Sequence, residues 1–337
     1  MKSQLLVRDK LFKILSKFGA MVLGTATVLS LPFNASAQNF PNKALKIIVP
    51  YSPGGGTDGL ARIIAKGMAD NLGQSIVVEN RPGAGGTIGA AAAANAPADG
   101  YTLLILNAVS HTSSAGLYRH LSYDPIKSFS GIGSAAETPY VIVSGPSLKV
   151  KTFKDFVALA RTKPGAINYA SSGIGGVSHL TTELFKSIAK VDLRHVPYKG
   201  DGPAVTDLLG GFVDVDFGNV LAMLPFIKTG KLSALAVTSE KRLAVLPDVP
   251  TVAESGYPSY VASGEFGFAV PAGTPPAVIS RLNLALTASV KSPKISELLK
   301  IQGVEPKTST PAEFDALMRR ESAKWLGVIH DIGIKAQ

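Results

Sequence analysis

Twice in this chain a short apolar run ends in a cluster of glycines and hydroxyl side chains that leads into a helical stretch. The first is Ile47-Ile48-Val49-Pro50-Tyr51-Ser52-Pro53-Gly54-Gly55-Gly56-Thr57-Asp58, and the second is Ile167-Asn168-Tyr169-Ala170-Ser171-Ser172-Gly173-Ile174-Gly175-Gly176-Val177-Ser178-His179. A strand, a glycine turn and a helix in that order constrain both fold and chemistry. The first amides of a helix have no intrahelical acceptor and carry partial positive charge. Glycines let an anion approach that backbone closely. Thr57, Ser171, Ser172 and Ser178 add hydroxyl donors, and Asp58 is placed to cap the helix or position a water. Glycines also make ordinary tight βα turns, but two such loops with flanking hydroxyls favour ligand contact. Two facing lobes would then each give donors to one ligand at the carboxyl ends of their strands, where open α/β sheets bind.

The rest of the chain fits that plan. Runs at Leu45 to Ser52, Ser75 to Glu79, Tyr101 to Leu106, Tyr140 to Ser144, Ile167 to Ala170, Leu193 to Pro197, Val213 to Phe217, Leu232 to Thr238 and Gly267 to Val270 predict strands. Their near-continuous apolar character predicts a mostly parallel α/β sheet buried on both faces. Helix starts are marked at Thr152 with Asp155, at Thr274-Pro275-Pro276, and at Thr310-Pro311 with Glu313 in capping-box position. The last predicted helix, from Thr310 to about Ile332, aligns Phe314, Leu317, Met318, Trp325 and Ile329 as a core stripe. Crossings between lobes are expected near Asn107 to Ser113 and near Asn219 to Leu221. That division makes 1–37 a leader, 38–107 with 221–337 one discontinuous lobe, and 108–220 the other.

The leader follows from Lys2, Arg8, Lys10, Lys13 and Lys17 ahead of an uncharged run from Phe18 to Leu31, which is short for a membrane span. Ala35-Ser36-Ala37 supplies the small residues of a cleavage site, so export to the periplasm with a cut after Ala37, leaving Gln38 first, is expected. Removing that segment lowers the net charge from +10 to +6. The remaining Lys and Arg are scattered without aromatic interleaving, which argues against nucleic-acid binding. With no cysteine, disulfides, thiolate catalysis and Cys-ligated metals are excluded, and a chain that is 46% apolar must stand on its core.

Catalytic and nucleotide signatures are missing. There is no G-x-x-x-x-G-K-[ST] loop, and G-x-G-x-x-G fails because Ile88 ends the Gly83 run and Ser178 ends the later one. His111, His120, His179, His195 and His330 show no H-E-x-x-H spacing, and Ser178 lacks a G-x-S-x-G elbow. No catalytic residue, metal site or cofactor is therefore expected.

The chain resembles the Bug family, TctC-like receptors of tripartite tricarboxylate transporters, from about Phe40 to Ile332. The resemblance rests on Phe40-Pro41-Asn42-Lys43 leading to Lys46-Ile47-Ile48-Val49-Pro50, Pro53-Gly54-Gly55-Gly56-Thr57-Asp58, Glu79-Asn80-Arg81-Pro82-Gly83-Ala84-Gly85-Gly86 and Pro97-Ala98-Asp99-Gly100-Tyr101-Thr102-Leu103-Leu104. It continues through Tyr123-Asp124-Pro125, Val196-Pro197-Tyr198-Lys199-Gly200, Asp207-Leu208-Leu209-Gly210-Gly211 and Pro271-Ala272-Gly273-Thr274-Pro275. The resemblance implies a type II periplasmic-binding-protein fold, two α/β lobes closing on a ligand. It implies that a small carboxylate is held mostly by backbone amides: Gly54, Gly55, Gly56, Thr57 and Asp58 from one lobe, and Ser171, Ser172, Gly173, Gly175 and Ser178 from the other. Asn107, Ser110, Tyr198 and Asn219 follow strand ends and are expected to line the cleft, with Lys199 a candidate for a second anionic group.

Ser263-Gly264-Glu265-Phe266-Gly267 departs from the family pattern, which commonly has an aromatic where Glu265 stands. A carboxylate at the cleft edge would favour an amino, amide or hydroxyl group on the ligand. The expected protein is a monomer that passes its solute to the membrane subunits of a tripartite transporter. A sensor component, or an exported hydrolase or lyase using Asp58, Ser178 or His179, are the alternatives.

Overall fold

The computed structural model describes residues 40–335, so the leader and its cleavage site lie outside the described residues. Each predicted apolar run forms a strand. β1 (Leu45–Val49), β2 (Ile76–Asn80) and β3 (Thr102–Asn107) pair in parallel with β1 central. β4 (Phe129–Ser144) follows, and then β5 (Asn168–Ser171), β6 (Arg194–Pro197) and β7 (Val215–Asn219) form a second parallel set around β5. β8 (Ser233–Val237), β9 (Ser263–Pro271) and β10 (Glu305–Pro306) complete one path, β2-β1-β3-β9-β4-β7-β5-β6, with β8 and β10 attached to β4.

The sheet is parallel only in its outer parts. β9 runs antiparallel to β3 and to β4, and β4 runs antiparallel to β7 and β8. The strand β4 changes partner along its length: Phe129 to Pro139 pair with β9, and Tyr140 to Ser144 pair with β7 and β8. It therefore belongs to two half-sheets. Only its second part is apolar enough to predict a strand, because Gly131, Gly133, Ser134, Glu137 and Thr138 read as a loop. Two register shifts, between Gly131 and Gly133 and between Ser134 and Ala136, accommodate those residues. β8 lies beside the second part of β4.

Ten helices in the described residues cover this sheet: α1 (Gly56–Leu72), α2 (Thr87–Ala94), α3 (Ala108–Leu117), α4 (Phe153–Thr162), α5 (Val177–Ala189), α6 (Asp201–Leu209), α7 (Val220–Lys228), α8 (Pro276–Lys291), α9 (Pro293–Lys300) and α10 (Pro311–Asp331). Two of the three marked helix starts carry side-chain caps; α8 starts at Pro276 without one, and Thr274 Oγ1 donates instead to the Pro271 carbonyl. Thr152 Oγ1 accepts from the Asp155 amide at 3.1 Å, and Thr310 with Glu313 closes a full capping box in front of α10.

Each half has its own core. Ile48, Leu104, Leu106, Phe314, Leu317 and Met318 cluster in the first half, and Phe153, Phe156, Tyr169, Phe185, Phe217 and Tyr260 in the second. The α10 stripe divides between clusters: Trp325 and Ile329 pack with Leu117 and Tyr140 and with Val177 and Leu180 of α5. Burial on both faces holds for the central strands but not at the edges, where β2 leaves Val77 55% exposed. Phe314→Ala should cost about 3–5 kcal/mol through the cavity it opens, whereas Val77→Ala should stay within about 0.5 kcal/mol. Urea denaturation of both variants measures the difference.

Candidate ligand-binding site

At the carboxyl end of β1, Gly54 turns the chain with φ +82° into α1. The Gly54 amide donates to Asp58 Oδ2 at 3.1 Å, and the Gly56 amide donates to Asp201 Oδ2 at 3.2 Å. Those of Gly55, Thr57 and Asp58 have no acceptor among the described residues. This end of α1 therefore keeps free donors and the positive end of its dipole, the chemistry that receives a carboxylate. Asp58 itself is anchored. Its carboxylate also accepts from Arg62 Nε at 3.1 Å and from Asn80 Nδ2 at 3.0 Å. Burial pushes Asp58 up, but Arg62, the Gly54 amide and Asn80 outweigh it and hold the group below the usual carboxylate range.

Two loops of the first half touch two loops of the second. The Ser52 amide donates to the Lys199 carbonyl at 2.9 Å, and a Cβ on Gly202 would lie 2.3 Å from the Pro53 carbonyl oxygen. Beside them, Tyr118 Oη donates to the Ile174 carbonyl at 2.9 Å, and a Cβ on Gly85 would lie 2.0 Å from that same oxygen. Contacts this close admit no side chain at Gly85 or Gly202 without separating the halves. The loops after β1 and β6 meet, and so do those after β2 and β5.

The second glycine loop is differently built from the first. Ser172 N donates to Ser178 Oγ at 2.8 Å, Gly173 N to Ser171 Oγ at 3.2 Å, Gly175 N to His179 Nδ1 at 3.3 Å and Gly176 N to the Gly173 carbonyl at 2.9 Å. Those amides stabilise the turn itself. Behind it, His179 stacks on His195 at 4.4 Å, and His195 Nε2 lies 2.6 Å from Ser171 Oγ. Burial pushes His179 down to about 4 and His195 down to about 3, so both rings are neutral around pH 7. They buttress the turn rather than form a dyad with Ser178.

The remaining expected residues divide. Asn107 and Asn219 sit at the carboxyl ends of β3 and β7 and cap α3 and α7 through Oδ1, at 2.9 Å in each case. Asn219 packs so closely on Gly56 that a Cβ there would fall 2.6 Å from its Cγ. Ser110 Oγ accepts from Tyr51 Oη at 3.2 Å, and Tyr198 Oη donates to Asp207 Oδ2 at 2.7 Å. Glu265 is not brought to this group. On β9, Gly264 faces Asn107 and Tyr140, and the next residue necessarily points to the opposite face of the sheet. There Glu265 accepts from Ser134 Oγ at 2.5 Å and pairs with Lys307 at 3.6 Å, beside Glu137.

Sequence patterns passed over two buried acids. Asp201, 8% exposed at the first turn of α6, lies against Gly55, where a Cβ would be 3.3 Å from its own Cβ. Burial raises Asp201 to about 6 against the opposing pull of the Gly56 amide. Asp216 on β7 is 1% exposed, and burial followed by the Asp201 charge raises it well above the usual range. Gly200-Asp201-Gly202-Pro203, a third glycine turn after a strand, was the available signal for Asp201. Asp216 had none, because Asp214 and Asp216, alternating in Val213-Asp214-Val215-Asp216-Phe217, look like a solvated strand face.

Two half-sheets whose loops converge at the carboxyl ends of their strands are the architecture of type II periplasmic binding proteins. The solved periplasmic binding protein BugD superposes with a TM-score of 0.86 at 34% identity, covering 88% of this chain and 100% of that one. An R. palustris protein solved with adipate superposes with a TM-score of 0.85 at 35% identity, covering 88% of this chain and 100% of that one. Protein BugT of Bordetella pertussis is 38% identical over 301 residues, 89% of this chain and 92% of BugT. The tripartite tricarboxylate transporter family receptor (TctC) model matches residues 60–334, and the chain belongs to that family. It is a solute-binding protein and not an enzyme, as its family and structural neighbours are.

The buried histidines make a signed pH prediction. A histidine whose folded pKa is depressed leaves the unfolded state holding more protons, so the stability it contributes above pH 6.5 is lost as pH falls towards about 4. Wild type should lose stability relative to His179→Phe across that interval, with a slope difference approaching one proton. Melting temperatures of both proteins at a series of pH values measure it.

Proposed function

We propose that this protein captures a small carboxylate-bearing solute between the two half-sheets and delivers it, as a monomer, to the membrane subunits of a tripartite tricarboxylate-type transporter. The observation that carries the reading is the α1 N-terminus, where the Gly55, Thr57 and Asp58 amides keep free donors beside Asn219 and the loops of the other half. Family membership and the adipate held by the R. palustris relative support it. In this reading the half-sheets are the two lobes, exchanging at Pro139 and Tyr140 of β4 and again between β8 and β9. A ligand touching both lobes stabilises the closed arrangement by its extra contacts, and a transporter can recognise that surface. The leader with its cut after Ala37 delivers the protein to the periplasm.

Thermal-shift screening of carboxylates should find ligands whose concentration raises the melting temperature; a screen answered only by cations or neutral sugars would sink the proposal. Gly56→Ala, whose methyl meets Asn219, should weaken binding by at least about tenfold, or ~1.4 kcal/mol, in calorimetric titration. N-terminal sequencing of the periplasmic protein should begin at Gln38. Solute uptake into cells that requires both this chain and the transporter membrane subunits separates delivery from a sensing role.

A further inference from the structure

The turn that opens α6 is pressed against the first glycine loop. A Cβ on Gly200 would lie 3.0 Å from the Ser52 nitrogen, and one on Gly202 would lie 2.3 Å from the Pro53 carbonyl oxygen. Of the three residues Gly200-Asp201-Gly202, only Asp201 therefore brings a side chain to this seam. An acid in the first turn of a helix ordinarily serves the dipole of its own helix. Asp201 is the first residue of α6, yet its carboxylate accepts from the Gly56 amide, 145 residues away in the chain, at 3.2 Å. More than nine-tenths buried, it lies at the positive end of α1, the helix of the other half. Burial opposes its charge, and the Gly56 amide pulls the other way.

Gly55, Thr57 and Asp58, whose amides keep free donors, flank Gly56 in the same loop. A Cβ on Gly55 would lie 3.4 Å from Asp201 Oδ2, so the carboxylate already stands over these donors. A second carboxylate there would be its close neighbour, and like charges in a desolvated space disfavour one another. The other contacts across the seam are of a different kind. The Ser52 amide meets the Lys199 carbonyl and Tyr118 Oη meets the Ile174 carbonyl, and neither involves an anion that a carboxylate could replace.

We infer that Asp201 is a built-in substitute for the solute carboxylate: it latches the two halves together at the α1 N-terminus while the site is empty, and an arriving carboxylate must displace it. This rests on the carboxylate reading above and goes beyond it, because the protein's own side chain competes for the donors that reading assigns to the solute. The latched arrangement is closed but not competent to bind. Apparent affinity is therefore lowered by the share of molecules held in it. Capture is restricted to solutes that gain more at α1 and the facing loops than the contact between Asp201 and Gly56 gives up.

The chain has no cysteine, so Leu284→Cys on α8, which packs on α1, and Phe212→Cys between α6 and β7 place one nitroxide label on an exposed site of each half. Pulsed electron paramagnetic resonance without added solute should show a closed population that shrinks in Asp201→Asn and shrinks further in Asp201→Ala. Melting temperatures establish that each variant is folded. In calorimetric titrations with acetate, glutarate and 3-phenylpropionate, Asp201→Ala should bind at least one acid about fivefold or more tightly than wild type. Asp201→Asn, which keeps a neutral acceptor for the Gly56 amide, should gain less. Distance distributions that neither variant changes overturn the latch. Equal or weaker binding by both variants of the acids that wild type holds overturns the competition and leaves the carboxylate reading standing. If none of the three proteins binds any acid while the distances shift as expected, the latch stands and the carboxylate reading falls.

Discussion

Strand β4 is the element on which the rest of the molecule depends. Its first part shares hydrogen bonds with β9 and its second with β7 and β8, so the two half-sheets are tied by continuous backbone and not by side-chain packing alone. The change of partner at Pro139 and Tyr140 permits two separate cores, each clustered around its own aromatic and aliphatic residues. Because both halves are parallel where they are outermost, the carboxyl ends of β1, β2, β5 and β6 carry loops that meet across the cleft. The candidate site is a consequence of that arrangement.

Electrostatics at this junction are asymmetric. The first glycine loop leaves donors free at the start of α1, whereas the second commits its amides to Ser171, Ser178, His179 and Gly173. What the second half brings instead is acidic: Asp201, which accepts from the Gly56 amide at the start of α1. The α1 N-terminus and the Asp201 carboxylate are complementary in charge. Burial makes this matter, since interactions screened at the surface are strong where water is excluded.

Element types were largely legible from the chain. Apolar runs bounded by glycine and proline located the strands, and hydroxyl residues followed by acids located α4 and α10, because capping and hydrophobic burial are local demands. The first part of β4 was not legible. Its Gly131, Gly133, Ser134, Glu137 and Thr138 form a strand only because β9 and α10 pack there, with Asp315 accepting from the Gly131 amide at 2.8 Å. β10 has just two residues and exists only through pairing with β4.

The site shows the same division. By itself the sequence determined that a glycine turn opens a helix at Gly56, that no catalytic or nucleotide signature accompanies it, and that the chain is an α/β binding protein of a recognisable family. The turn and the missing signatures follow from short-range spacing, and the family from the resemblance of its ordered motifs. Tertiary structure alone decided which acid meets the first glycine loop: Glu265, conspicuous in its motif, is turned to the far face by strand alternation and held by Ser134 and Lys307. Asp201, inconspicuous in its motif, is buried against the first glycine loop because the first turn of α6 docks on α1. Which residues share a desolvated space depends on contacts between segments remote in the chain, and no local pattern encodes that.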